Sequence, residues 1–371
     1  LLALANGIAH GFGCVLFPEG TSHSLSHMVR FKTGPARTVL AAAALAKAND
    51  LPLPHLVPVG LHFRRRELFR TDQYIEFGEP IPLTDDMVPD DMVAAVKAGE
   101  WVEPPAEIVH RIRDELQTRL PPMTPEAATW AEHRAVHLTA HAEARAEGRS
   151  LATWQEEVLA ARKVRDAWPD RIASFPPEPI TGARFDRANE AAELLEQRGL
   201  DGRDLGPRGR VFRKASLGRL PSAVASVALF LTLLPFSITS LGLQISLGRL
   251  LGDSTDEGLD ARTSFQFLAA FFGSLLIWPV VAALWTAGVW FTHDRLASLF
   301  GWGSNWLEMG VGSTLVGLTV VYLLCFPVFW ASGKSFAAAW DVWVDSKKAW
   351  IRSRFPNCLL YTSPSPRDLL K

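Results

Sequence analysis

At 371 residues the chain is long enough for two or three structural units. Its 38 basic and 39 acidic side chains nearly cancel, which argues against a bulk nucleic-acid binder. Three cysteines, Cys14, Cys325 and Cys358, form no C-x-x-C pair and are too scattered for a disulfide framework or a thiolate zinc site.

Polarity divides the chain. Residues 1–219 are charged and helix-patterned, whereas 220–332 run mostly in Leu, Val, Ala, Phe and Trp. Taken in order, residues 1–9 close a helix, and GCVLF at 13–17 reads as a short buried strand. The Ala/Leu-rich run 35–50 predicts a helix ending at Asn49-Asp50. LVPVGLHF (56–63) and QYIEFGEPI (73–81) predict two further strands, with Ile75 and Phe77 alternating against Tyr74 and Glu76. Strand, helix, strand, strand predicts an α/β domain over 1–85, of which only the C-terminal half is expected in this chain.

Residues 86–202 read as a charged helical region, broken at Pro121-Pro122 and at SFPPEPITG (174–182). Within it His133, His137 and His141 recur at i, i+4, i+8 on one helix face. That spacing suits a metal pair, but no carboxylate or thiol cluster completes it, so the row reads as a solvated face and no metal is expected. Residues 203–219 form a Gly/Arg-rich basic linker. The chain has no internal repeat and no glycine-rich nucleotide fingerprint, and no cofactor is expected.

The segment FPEGTSHS at 17–24 carries the chemistry. Pro fixes φ, Gly allows a left-handed turn, and the amides that follow, with the Thr21 and Ser22 hydroxyls, can cradle an anion. Glu19 can accept hydrogen bonds from a polyol. A plain strand-to-helix turn with Glu19 in solvent is the competing reading. G-T-S-H-S (20–24) also has the look of a nucleophile elbow, but Ser24 stands where the closing Gly is required.

FPEGTSHS resembles the third sequence block of the glycerolipid acyltransferase family. Lys32 in RFKTG falls where that family carries a lysine, LVPVGLHF resembles its fourth block, and EFGEPI (76–81) its closing strand. The Ser-His pair, the P-V-G-L run and F-R-x-x-x-x-I-E-F-G-E-P-I (69–81) look closest to the fungal-type glycerol-3-phosphate/dihydroxyacetone-phosphate acyltransferases. The resemblance covers residues 1–83. It implies a His-Asp dyad, in an H-x-x-x-x-D block, as general base on a glycerol hydroxyl that attacks an acyl thioester. The donor would be acyl-CoA or acyl carrier protein, and the acceptor a phosphorylated glycerol. The third block would bind the acceptor through Glu19, Gly20, Thr21, Ser22, His23 and Lys32.

Two features depart from the family. No histidine in the chain has Asp five residues on, so no catalytic residue of the dyad is assigned, and the chain reads as an N-terminally truncated fragment. Ser22 stands where many members have Arg. Lys32 is then first choice for phosphate, with His23 next and Arg37 and Arg64–Arg66 behind, although Lys32 also fits a solvated residue at a helix start. The Arg64–Arg66 run reads as a surface facing anionic lipid, and Cys14 as packing inside a strand. A non-catalytic, lipid-binding membrane protein with an acyltransferase-like domain is the alternative.

Segments 221–247, 265–291 and 310–332 each have the length and apolarity of a span. Trp290, Trp302, Trp306 and Trp330 lie near segment ends as an aromatic belt, with Trp278 and Trp285 deeper, between helices. Residues 333–355 read as an amphipathic helix lying on the membrane, or else packed on the protein. The tail 356–371, rich in Ser and Pro, reads as non-native. Basic residues flank the first and third segments, and only Arg295 lies between the second and third. This predicts an acyltransferase domain on the cytoplasmic face of a bacterial inner membrane or endoplasmic reticulum. It also predicts a first segment that turns back near Pro235, Ser237 and Gly242, putting position 256 inside and 304 outside. Three simple spans are the competing arrangement.

Overall fold

The computed structural model describes residues 2–65, 68, 70–168, 174–206, 212–214, 217–254, 259–300 and 311–354. The tail 356–371 with Cys358, as well as Arg66, Arg208, Arg210, Trp302, Trp306 and positions 256 and 304, lies outside the described residues. Two compact units emerge. The first comprises residues up to Arg64 together with Asp72–Arg213, and the second Arg65–Thr71 together with Lys214–Arg354.

The first unit contains helices α1 (Leu2–Ala9), α2 (Gly34–Ala48), α3 (Asp90–Lys97), α4 (Ala106–Arg119), α5 (Trp130–Ala146), α6 (Trp154–Asp166) and α7 (Ala183–Gln197). Strands β1 (Val59–Phe63) and β2 (Gln73–Phe77) form a two-stranded antiparallel sheet. The helices follow local rules. Pro35 opens α2, the alanine run carries it, and Asp50, at φ +53°, lies just past its end. Thr129 caps α5, and Thr153 with Glu156 closes a capping box on α6. Leu40, Phe31, Val88, Met92 and Ile112 bury one core between α2, α3 and α4.

The α/β expectation is overturned, because the described residues are mostly helical and hold a sheet of two strands. GCVLF is where it fails. Residues 12–16 have no regular structure, and Phe12, Val15 and Phe17 are 74%, 77% and 67% exposed. A buried strand needs neighbours for its backbone groups, and none of the described residues pairs with this one. Cys14 is accordingly exposed rather than packed.

The sheet keeps the anticipated alternation but turns it inside out. His62 and Gly60 face inward, with Tyr74 and Glu76 half-buried opposite them, while Leu61, Ile75 and Phe77 point outward. The inward face is polar because it supplies an ion-pair network, described below.

The second unit holds α8 (Leu220–Ser237), a π-helical turn at Ile238–Gly242, α9 (Leu243–Asp253), α10 (Leu259–Phe300) and α11 (Val311–Arg354). Among the described residues, three helical stretches are long and apolar enough to cross a membrane: Leu220–Asp253, Ser264–Thr292 and Thr314–Arg354. The turn-back near Pro235 is overturned. Backbone angles stay helical at Ser237, Ile238, Gly242 and Leu243, and the proline is absorbed by the π turn. α11 runs unbroken through positions 332–333.

Aromatic rings fill the centre of this unit. Phe236 stacks on Trp285 at 4.5 Å, and Trp278 meets Phe329 at 5.8 Å, around buried Val281, Ala282 and Cys325. Trp278 and Trp285 thus pack between helices, as their depth in the sequence suggested. The Trp285 indole donates to Thr239 Oγ1 at 3.1 Å, satisfying a polar group that hydrocarbon would leave bare. α11 packs on α8 and α10 on α9. Phe230 meets Phe336 at 5.9 Å, and Arg219 approaches Asp345 at 3.9 Å. The start of α8 and the last turns of α11 therefore lie at one end of an antiparallel pair.

Candidate functional site

FPEGTSHS is a self-bonded loop ahead of α2. Lys32 N–H donates to Pro18 O at 2.7 Å and closes it, while Gly20 N–H donates to Phe17 O at 3.2 Å. Glu19 Oε1 accepts from His23 Nε2 at 2.7 Å and from the Val29 amide at 2.6 Å. The Leu25 amide donates to His23 Nδ1 at 3.2 Å, so Nδ1 is an acceptor and Nε2 carries the proton toward Glu19. Gly20 sits at φ +62°, and a Cβ there would meet Lys32 Cγ at 3.2 Å. Glycine is needed twice over, for its conformation and for the close approach of Lys32.

The loop brings Glu19, Gly20, His23 and Lys32 together. Thr21 and Ser22 are exposed on its outer turn, where the Thr21 hydroxyl reaches only the Ser22 carbonyl at 3.5 Å. Lys32 is exposed beside Gly20. Arg37 reaches Glu103 at 3.4 Å, on the face of α2. Glu19 is thus the organiser of the loop: both of its bonds go to the loop itself, and solvated Glu19 is excluded.

What anchors the loop lies about a hundred residues away. Ser26 Oγ donates to Ala127 O at 2.7 Å, the Ala127 amide returns to Ser26 O at 3.2 Å, and Trp130 Nε1 donates to Ser24 O at 2.7 Å. No local pattern names Ala127 or Trp130. The only signal was the Thr129 cap that places Trp130 at the start of α5.

Behind the sheet lies a second polar centre. Arg64 forks onto Glu157, stacks on Trp154 with its guanidinium carbon 4.3 Å from the ring, and His141 Nε2 meets Glu157 at 3.1 Å. Arg162 forks onto Glu76, whose Oε2 lies 3.4 Å from His62 Nε2. Burial alone would raise the Glu157 carboxyl, but bonds from His141 and Arg64 hold it below the ordinary value. Arg162 lowers that of Glu76. A cavity of about 20 Å³, the size of one water, is lined by His62, His133, His137, Arg162 and Arg165 among others.

Two expectations fail here. Arg64 is turned inward with its side chain 14% exposed, so it is not part of a lipid-facing surface. The histidine row is not solvated either. His141 is 2% exposed, His133 and His137 are half-buried with ring centroids 4.4 Å apart, and His137 stacks on Trp154. Burial pushes His133 down to about 3 and His137 well below its ordinary value. No cluster that could hold a metal occurs among the described residues.

Comparison with known proteins finds acyltransferases. Saccharomyces cerevisiae glycerol-3-phosphate O-acyltransferase 2 is 41% identical over 73 residues, 19% of this chain and 9% of that protein. Glycerol-3-phosphate O-acyltransferase 1 of the same yeast is 31% identical over 81 residues, 22% and 10% of the two chains. An uncharacterized acyltransferase of Schizosaccharomyces pombe is 28% identical over 103 residues, 28% and 14% of the two. The resemblance to glycerolipid acyltransferases holds. The chain spans only about a tenth of the length of the acyltransferases it matches. No family model matches it, and no solved structure does.

Proposed function

We propose that this chain is the acceptor-binding part of a membrane-bound acyltransferase of glycerolipid synthesis. The enzyme moves an acyl group from acyl-CoA or acyl carrier protein to glycerol 3-phosphate, dihydroxyacetone phosphate or 1-acylglycerol 3-phosphate. The observation that carries this reading is the closed 18–32 loop, in which Glu19 spends its bonds on His23 and Val29 and sets Lys32 beside Gly20. Such a loop carries one cation beside Gly20 and exposed Thr21 and Ser22 hydroxyls on its outer turn, groups that suit a phosphate joined to a glycerol. The thioester is already activated, so the chemistry needs a base, alignment and oxyanion stabilisation. The base is not among these residues: no histidine here has an Asp five positions on.

The acyltransferase part faces the cytoplasm, where acyl thioesters are made, at a bacterial inner membrane or the endoplasmic reticulum. The domain boundaries that go with this reading are 1–85, 86–202 and 203–219, with a membrane region beyond.

The test is transfer of radiolabelled acyl groups to each acceptor. The 371-residue chain alone is expected to be inactive, and transfer by it would overturn the assignment of the base elsewhere. In the full-length protein, Lys32→Ala is expected to raise the acceptor KM about ten- to a hundred-fold, the worth of a charge-assisted hydrogen bond, with the acyl-donor KM unchanged. An unchanged acceptor KM removes Lys32 from the site.

A further inference from the structure

The joined end of α8 and α11 carries a collar of tryptophan and basic side chains. Trp343 and Trp350 are seven residues apart, two turns of helix, and so share a face of α11. Each is more than half exposed, at 54% and 56%. Each lies under a cation four residues on. Lys347 Nζ is 5.5 Å from the Trp343 ring, and the Arg354 guanidinium carbon is 4.4 Å from that of Trp350. The acids of this stretch are engaged elsewhere, Asp341 by a fork from Arg70 and Asp345 by Arg219.

The collar's level in the unit is set by the same contact. Arg219 is the last residue before α8, whose Leu220 and Val224 are 59% and 60% exposed, and it meets Asp345. Below it the pair is apolar but for Asp341, held by Arg70, and Lys334, which lies over the Trp330 ring. At it and beyond come Arg219, Lys347, Lys348, Arg352 and Arg354. Exposed indoles at the edge of an apolar helix pair, topped by cations, have the chemistry of a membrane–water boundary. The cations add charge complementarity to an anionic headgroup.

We propose that this collar is a binding surface for anionic lipid, with Lys347 and Arg354 on the headgroup phosphates and Trp343 and Trp350 seated at the glycerol level. The indole faces hold the two cations in place before lipid arrives, so little side-chain freedom is lost on binding. The occupant is the bilayer's own lipid, and the proposal is independent of the acyltransferase reading.

The whole chain, purified in a zwitterionic detergent, is incubated with equal amounts of phosphatidylglycerol and phosphatidylcholine. Lipid co-eluting on gel filtration is then measured by mass spectrometry. The protein is expected to retain phosphatidylglycerol in preference, and excess inorganic phosphate is expected not to displace it. Lys347→Gln and Arg354→Gln are each expected to lower the preference about fivefold. Trp343→Leu with Trp350→Leu should lower it as well, at unchanged net charge. Arg249→Gln, at the far end of α9, should leave it intact. Equal retention of the two lipids, displacement by phosphate, an unaltered preference in the Lys347 and Arg354 variants or in the tryptophan pair, or an equal loss in Arg249→Gln would each overturn the collar.

Discussion

Glu19 Oε1 lies 2.7 Å from His23 Nε2, and His23 is forced by the Leu25 amide to present its proton to that oxygen. One carboxylate oxygen thus ties both arms of the loop, His23 from within the motif and Val29 from beyond it. Glu19→Ala is expected to destabilise the protein by about 1.5–3 kcal/mol, since a half-buried charged acceptor is removed from two donors. Glu19→Gln should cost less, as its amide oxygen still serves one of them. Urea denaturation of the three proteins checks the order, and equal midpoints would show that the loop does not depend on Glu19. Gly20→Ala, at φ +62° against Lys32, is expected to cost about 1–2 kcal/mol in the same experiment.

Acid should unfold the first unit early. His133 and His137 have folded-state values depressed by burial, to about 3 for His133, and His62 is lowered by burial as well. In the unfolded chain they take up protons near 6.5. Stability is therefore complete above that pH and declines as pH falls below it, down to about 3 for His133, by about 1.4 kcal/mol per pH unit for each histidine concerned. His133→Phe with His137→Phe should flatten the decline between pH 6.5 and 4.5 in a denaturation series. A wild-type stability constant over that range would contradict the buried row.

Arg64 and Glu157 form a buried fork, with His141 on the same carboxylate. Glu157→Gln alone is expected to cost about 3–5 kcal/mol, because it strands a buried guanidinium. Arg64→Met with Glu157→Leu should cost clearly less than the sum of its parts. A double-mutant cycle measures this, and additivity would mean that the two groups do not interact.

The Arg219–Asp345 contact, with Phe230 against Phe336, puts the two ends of the membrane unit together. Three complete crossings would separate them onto opposite faces, so one of the three membrane-capable helices is expected not to complete a crossing, although the first does not turn back near Pro235. Single cysteines at Gly218 and Ser346, in a background with Cys14, Cys325 and Cys358 replaced by Ser, should react with an impermeant maleimide from the same side of sealed vesicles. Labelling from opposite sides would require three spans.

Much of the local structure was legible in the sequence. Pro35 and the alanine run that follows predict α2, the Leu56–Phe63 and Gln73–Ile81 patterns predict the hairpin strands, and long uncharged runs predict membrane-capable helices. These are short-range matters of capping, propensity and periodicity. FPEGTSHS was legible too, because the conformational demands of Pro and Gly are local.

Tertiary structure decided which way the faces turn and what each polar group touches. Alternation in β2 told that Ile75 and Glu76 point apart, but not that the carboxylate points in; that depends on Arg162, 86 residues on. The i, i+4, i+8 histidines marked one face of α5, and only the packing of Trp154 and Glu157 made it an inner one. Pro235 was a sound place to expect a turn, yet the backbone stays helical through a π turn there, which avoids freeing backbone groups in hydrocarbon. GCVLF has the composition of a strand, but a strand exists only where another backbone completes its hydrogen bonds.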